Sequence, residues 1–146
     1  MSVMKKTKYS NTIQVVAQAE ELAPGYLINS SREGILFADF VKLIVNIPIQ
    51  ITEWAKMLNL SERTFLRYKK EKKAFDSIYS DRILQIVALY KRGSKVFGDA
   101  AKFNHWMDLP NLALENNKPK SYIDSSFGIQ LVHDELTRIE HGIFAW

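Results

Sequence analysis

The stretch "ITEWAKMLNLSERTFLRYKK", residues 51–70, decides the fold. Trp54, Leu58, Leu60, Phe65 and Tyr68 fall where two short helices crossing at a steep angle need apolar packing. Ala55 supplies the small residue such a crossing requires. Asn59 stands at the turn, where a left-handed conformation is needed and asparagine adopts it cheaply. Thr52 is expected to cap the first helix, "EWAKML", and Ser61 the second, "ERTFLRYKKEKK". The outward positions of the second helix are Glu62, Arg63, Thr64, Arg67, Lys69 and Lys70. This is the pattern of a helix-turn-helix, whose second helix sets its N-terminal side chains against base edges in the major groove. Ser61, Arg63 and Thr64 form the start of that helix, with Arg63 and Thr64 as candidate base readers. Arg67, Lys69 and Lys70 are candidate phosphate contacts, which hold register without reading sequence. A solvated helical hairpin bearing lysines has the same spacing, so this stretch alone leaves DNA contact open.

Charge placement supports two surfaces with two kinds of partner. From Ser61 to Lys73, six cations face two carboxylates, an excess equal to the +4 of the whole chain. Beyond Asp99 the balance reverses: Asp108, Glu115, Asp124, Asp134, Glu135 and Glu140 outnumber the cations there. The chain has 146 residues, 47% of them hydrophobic, enough to bury a core in one domain or two small ones. It has no cysteine, which removes disulfides and thiolate metal sites and fits the cytoplasm. No apolar run is long enough to span a membrane, and no apolar core follows "MSVMKKTKYSNT" to make a signal peptide. Cytoplasmic location and no membrane contact are therefore expected.

Every other segment with a readable period is helical, so the fold class is all-α. Residues 1–12 read as a loose arm, and "TIQVVAQAEELA" has helical spacing up to an interruption at "PGY". "SSREGILFADFVKLIV" reads as one helix capped by Ser31 and stopped before Pro48. Ser80 is expected to cap "DRILQIVALYKR" and Gly93 to close it. "DAAKFNHWM" follows, then a short helix opened by Pro119. Gly128 is expected to interrupt before "IQLVHDELTRIEH", whose core face is Leu131, Leu136 and Ile139 and which Gly142 ends.

The sequence closes on Ile143, Phe144, Ala145 and Trp146, an apolar run directly after Gly142. Burying a Phe is worth about 1.5–3 kcal/mol, so these side chains are expected to pack on something. Three readings stand: contact with a partner protein, folding back on Leu131, Leu136 and Ile139, or an interface between two copies.

From "SDRILQ" onward the chain resembles the toxin-binding domain of the Xre/MbcA/ParS antitoxin family, whose partners are RES-domain toxins. The resemblance rests on Ser80-Asp81-Arg82, Phe97-Gly98, Trp106-Met107, Pro110-Asn111, Ala113-Leu114 and Pro119, in that order. It continues through Phe127-Gly128, Val132, Arg138-Ile139 and Gly142-Ile143-Phe144. "SERTFLRYKK" is similar to the family's recognition helix, so the likeness covers roughly residues 30–146. Where the family has a glycine pair, this chain has Glu115-Asn116-Asn117, and asparagine tolerates the same left-handed turn. Residues 1–30 have no counterpart in the family pattern.

Residues 1–30 are read as an N-terminal arm, and the resemblance implies an Xre/Cro-like helix-turn-helix domain over 31–76. A small helical toxin-binding domain with an aromatic tail would follow over 77–146. It implies an antitoxin that neutralises a RES-type, NAD-consuming toxin by blocking its active-site cleft and represses its own operon. The implied partners are the toxin and operator DNA, with a homodimer and a toxin–antitoxin hetero-oligomer as assemblies. The toxin-binding set would be Arg138, Gly142, Ile143, Phe144, Ala145 and Trp146, with the tail's carboxylate standing in for a phosphate. The alternative is a stand-alone transcription regulator or adaptor of the same fold with no toxin.

Enzymatic chemistry finds no support in the residues. No nucleophile stands beside a base, and the six glycines are scattered rather than gathered into a phosphate loop. His133 and His141 are two helical turns apart, not one, and His105 lies elsewhere, so neither metal nor cofactor is expected. His133 is expected on a solvated face, Arg82 inside the core where the domains meet, and Trp54 and Trp106 as core anchors.

Overall fold

A computed structural model describes residues 24–142, and these form seven α-helices with no strand among them. In order they are α1 (Pro24–Glu33), α2 (Phe37–Leu43), α3 (Ile51–Met57) and α4 (Glu62–Glu71). Then come α5 (Ser77–Phe97), α6 (Ala100–Met107) and α7 (Ser126–His141), with 3-10 turns at Leu112–Leu114 and Pro119–Tyr122 between the last two. Two compact units divide between Ala88 and Leu89, inside α5. The sequence reading set the boundary at 76/77. The difference arises because the first turns of α5 are tied by buried hydrogen bonds to residues 35 and 75 of the first unit.

The first unit is built on aromatic rings. Phe37, Phe40, Trp54, Phe65 and Phe75 are all buried. Phe40 stands edge-on to Trp54 at 5.2 Å and to Phe65 at 5.8 Å, and Tyr68 stacks on Phe75 at 5.0 Å. Edge-to-face and stacked pairs add about 0.5–1.5 kcal/mol each beyond the area they bury.

The expected single helix over "SSREGILFADFVKLIV" is instead split. Gly34 has φ +87° and a Cβ there would lie 2.7 Å from the Phe75 carbonyl oxygen. Leu36 bridges antiparallel to Ala74, and the Phe75 N–H donates to the Ile35 carbonyl at 2.8 Å. These bonds satisfy an extended backbone that a continuous helix would have satisfied internally. Ser31 therefore lies inside α1, where its hydroxyl donates to the Ile28 carbonyl, and "PGY" opens this helix; the helical segment expected before it lies outside the described residues.

Ser80 also differs from its expected role. It is fully buried inside α5, its Oγ accepting from Ile35 N–H at 3.0 Å and donating to the Phe75 carbonyl at 3.1 Å. Arg82 donates to the Met57 carbonyl at 3.3 Å, so its bond lies within the first unit.

The second unit packs Leu89, Tyr90, Phe103, Met107, Leu114, Ile123, Ile129, Val132 and Leu136. Gly93 does not end α5. A Cβ there would collide with the Phe103 ring, so glycine serves close approach, and α5 runs on to Phe97. Gly128 likewise sits inside α7, where a Cβ would collide with the Tyr122 carbonyl oxygen. Ser125 caps this helix, accepting from Gly128 N–H at 3.0 Å, and Gly142 ends it with φ +69°. The core face of α7 is Ile129, Val132 and Leu136; Leu131 is exposed.

Between α6 and α7 the chain makes a tight turn with Glu115 and Asn116 both left-handed, at φ +56° and +63°. Asn111 accepts from Ala113 N–H, and Tyr122 closes the turn by donating to the Leu114 carbonyl at 2.9 Å. The turn forms without glycine: Asn116 is left-handed as expected, but its second left-handed residue is Glu115 rather than Asn117.

Candidate functional site

Helices α3 and α4 meet as a helix-turn-helix. Ala55 is buried at the crossing, Leu60 N–H donates to its carbonyl at 2.9 Å, and Asn59 has φ +58°. Gln50 rather than Thr52 holds the cap position of α3, without a side-chain bond. Ser61 caps α4 as expected, accepting from Thr64 N–H at 3.1 Å.

With Phe65 and Tyr68 turned into the core, the rest of α4 apart from Thr64 faces out. Arg63, Arg67, Lys69 and Lys70 are exposed, and among the described residues none of them forms a salt bridge. Thr64 is half-buried and its hydroxyl accepts from Ser61 at 2.9 Å, so it sits at the edge of this face rather than at its centre. Phenol burial, then Asp76, raises Tyr68 above the usual phenol range, keeping it neutral beneath the basic face.

One outward residue escapes a reading by residue type. Leu66 is 50% exposed, with Glu62 and Lys70 one turn to either side along α4. An apolar residue between Phe65 and Arg67 reads as core; only the helical period, counted from buried Phe65 and Tyr68, turns it outward.

The second unit carries a groove of about 670 Å³. Phe97 and Trp106, with ring centres 5.5 Å apart, form part of its wall together with Leu109, Pro110 and Ile139. Trp106 is thus a half-buried wall residue, and Phe103 and Met107 are the α6 core anchors. Leu112, also on the groove, is 88% exposed. Arg138 lines it too, donating from Nη1 to Glu135 Oε1 at 3.0 Å; the Glu135 side chain is 4% exposed and that of Arg138 52%. Gly142 lies at the end of α7, one turn beyond Arg138. Ile143, Phe144, Ala145 and Trp146 lie outside the described residues, as do residues 1–23 of the arm.

On another face of α7, Arg92 ties α5 to it. Its guanidinium reaches His133 Nδ1 at 2.9 Å, the His133 carbonyl at 3.1 Å and Thr137 Oγ1 at 2.8 Å, with Glu140 at 3.5 Å. His133 is therefore not on a solvated face. Burial, then the Arg92 charge, pushes its pKa below 6.5 against the opposing pull of Asp134, so Nδ1 accepts from Arg92 as a neutral ring. Among the described residues no group of three or more His, Asp or Glu side chains is placed to hold a metal, and no helix is long and apolar enough to cross a membrane.

Comparison with known proteins assigns the two units separately. Residues 27–88 match the antitoxin Xre-like helix-turn-helix domain. Residues 92–142 match the antitoxin Xre/MbcA/ParS C-terminal toxin-binding domain. The chain is also similar to the protein "Antitoxin Xre" of Yersinia enterocolitica serotype O:8 / biotype 1B. The two are 28% identical over 122 residues, spanning 82% of this chain and 81% of that relative.

Proposed function

This chain belongs to the Xre/MbcA/ParS antitoxin family, and from that premise we propose that it neutralises a RES-type, NAD-consuming toxin and represses its own operon. It works by binding, as an antitoxin with one DNA-facing and one toxin-facing unit. The observation that carries this reading is the contrast between the two surfaces. The first unit presents an exposed basic helix, suited to a polyanion, and the second an apolar groove with one arginine on it. A basic helix gives salt-dependent affinity for DNA, while exposed aliphatic and aromatic walls give a protein contact its anchoring positions.

In this account Ser61 fixes the start of α4, and Arg63, Arg67, Lys69 and Lys70 contact operator DNA with Thr64 at the margin. Arg138 and the segment Gly142, Ile143, Phe144, Ala145 and Trp146 contact the toxin beside its cleft and close it to NAD. The protein acts in the cytoplasm as a homodimer and joins the toxin in a hetero-oligomer. The test is a pair of variants. Deleting residues 142–146 is expected to abolish neutralisation while leaving promoter binding intact. Arg63→Ala with Arg67→Ala is expected to do the opposite. Full neutralisation by the shortened chain would remove the tail from the mechanism. Promoter binding with no toxin partner at all would leave a stand-alone regulator.

A further inference from the structure

Arg63, Leu66, Arg67 and Lys70 occupy i, i+3, i+4 and i+7 of α4, and all four are exposed. That spacing is the set by which a homeodomain recognition helix reads bases in the major groove. Three members are cations, suited to guanine edges and phosphates; the fourth is a leucine with half its surface in water. The major groove offers one apolar group, the C5-methyl of thymine. Resting on the DNA-binding reading above, we propose that Leu66 is a specificity-determining residue that reads a thymine methyl in the operator.

The local structure holds Leu66 in position for this. Ser61 fixes where α4 begins, and Phe65 and Tyr68 are locked among the rings of the core, so the helix cannot rotate to hide its neighbour. Glu62 lies one turn before Leu66 and disfavours a close phosphate there by like charge, while Arg63, Arg67 and Lys70 surround it with groups that draw the duplex in. A leucine in this place adds no electrostatic affinity. Its contribution is confined to the base pair whose methyl it covers.

The test uses the full chain and a duplex selected by it from a random library. Each thymine is replaced in turn by uracil, which removes only the methyl group, and binding is followed by fluorescence anisotropy at fixed salt. One position is expected to lose affinity about fourfold, the worth of one buried methyl. With Leu66→Ala the same substitution is expected to have no effect, while the salt dependence stays that of the parent. A methyl dependence that persists in Leu66→Ala, or the absence of any such position, overturns the proposal. So does a change in oligomeric state of Leu66→Ala with DNA discrimination unchanged, which would make Leu66 a protein contact. If the parent chain binds no duplex in a salt-sensitive way, the DNA-binding reading falls together with this one.

Discussion

The Glu135–Arg138 pair allows fold and function to be separated at one residue. The carboxylate is 4% exposed and the guanidinium 52%, with 3.0 Å between them. Breaking a fully buried pair costs about 3–5 kcal/mol, whereas an exposed pair is worth about 0–1 kcal/mol. Here one partner is half in water, so Arg138→Ala is expected to cost about 1–2 kcal/mol, mostly by leaving a buried carboxylate without its cation. Glu135→Gln needs no cation. Combined with Arg138→Ala it is expected to recover about 1 kcal/mol of that loss. Urea unfolding of the four proteins gives the coupling directly. The recovered double variant is then assayed for neutralisation. It is expected to be folded and inactive, because the arginine on the groove is gone. A coupling near zero would show that the pair does not hold the groove. Full neutralisation by the stable double variant would remove Arg138 from the toxin contact.

Three other expectations follow from the packing. Ser80→Ala should cost about 1–3 kcal/mol in urea unfolding by orphaning buried backbone groups, and Ser80→Asp should cost more; if Asp is tolerated, Ser80 acts as a helix cap. Gly128→Ala should destabilise by at least the ~1–3 kcal/mol of overpacking, because the clash is with backbone; an unchanged midpoint would contradict the close approach. His133 has a folded pKa below its unfolded 6.5, so its contribution is present above that pH and lost as pH falls toward the lowered value. Stability measured down that window should decline, and His133→Gln should flatten the decline; an equal slope in both proteins would remove the Arg92–His133 contact from the account.

Much of the helix-turn-helix was legible because its determinants are local. Asn59 at a left-handed turn, Ser61 at a cap and Ala55 at a crossing each act within a few residues of themselves. The errors fall where a distant group decides. Gly93 and Gly128 look like helix ends by residue type. Each instead makes room for a neighbour, the Phe103 ring or the Tyr122 carbonyl, that no local pattern reveals. Ser31 and Ser80 look like caps, but Ile35 leaves the helix to bond Ser80 across 45 residues of chain. The motif residues Phe97, Trp106, Pro110 and Arg138 were each visible in the family resemblance. Their convergence on one groove was not, because it depends on the tight turn held by Asn111 and Tyr122. Leu66 was hidden by its type, and His133 by its acidic neighbours in sequence, which outweighed an Arg92 that lies 41 residues away.

The most direct test is a native pull-down of the tagged full-length chain with its neighbouring genes expressed, followed by separation of any co-purifying protein. A near-stoichiometric partner is expected, one that consumes NAD once stripped of this chain and stops when the chain is added back. An NAD-consuming partner whose activity is untouched by the chain, or no partner at all beside salt-sensitive promoter binding, would contradict it.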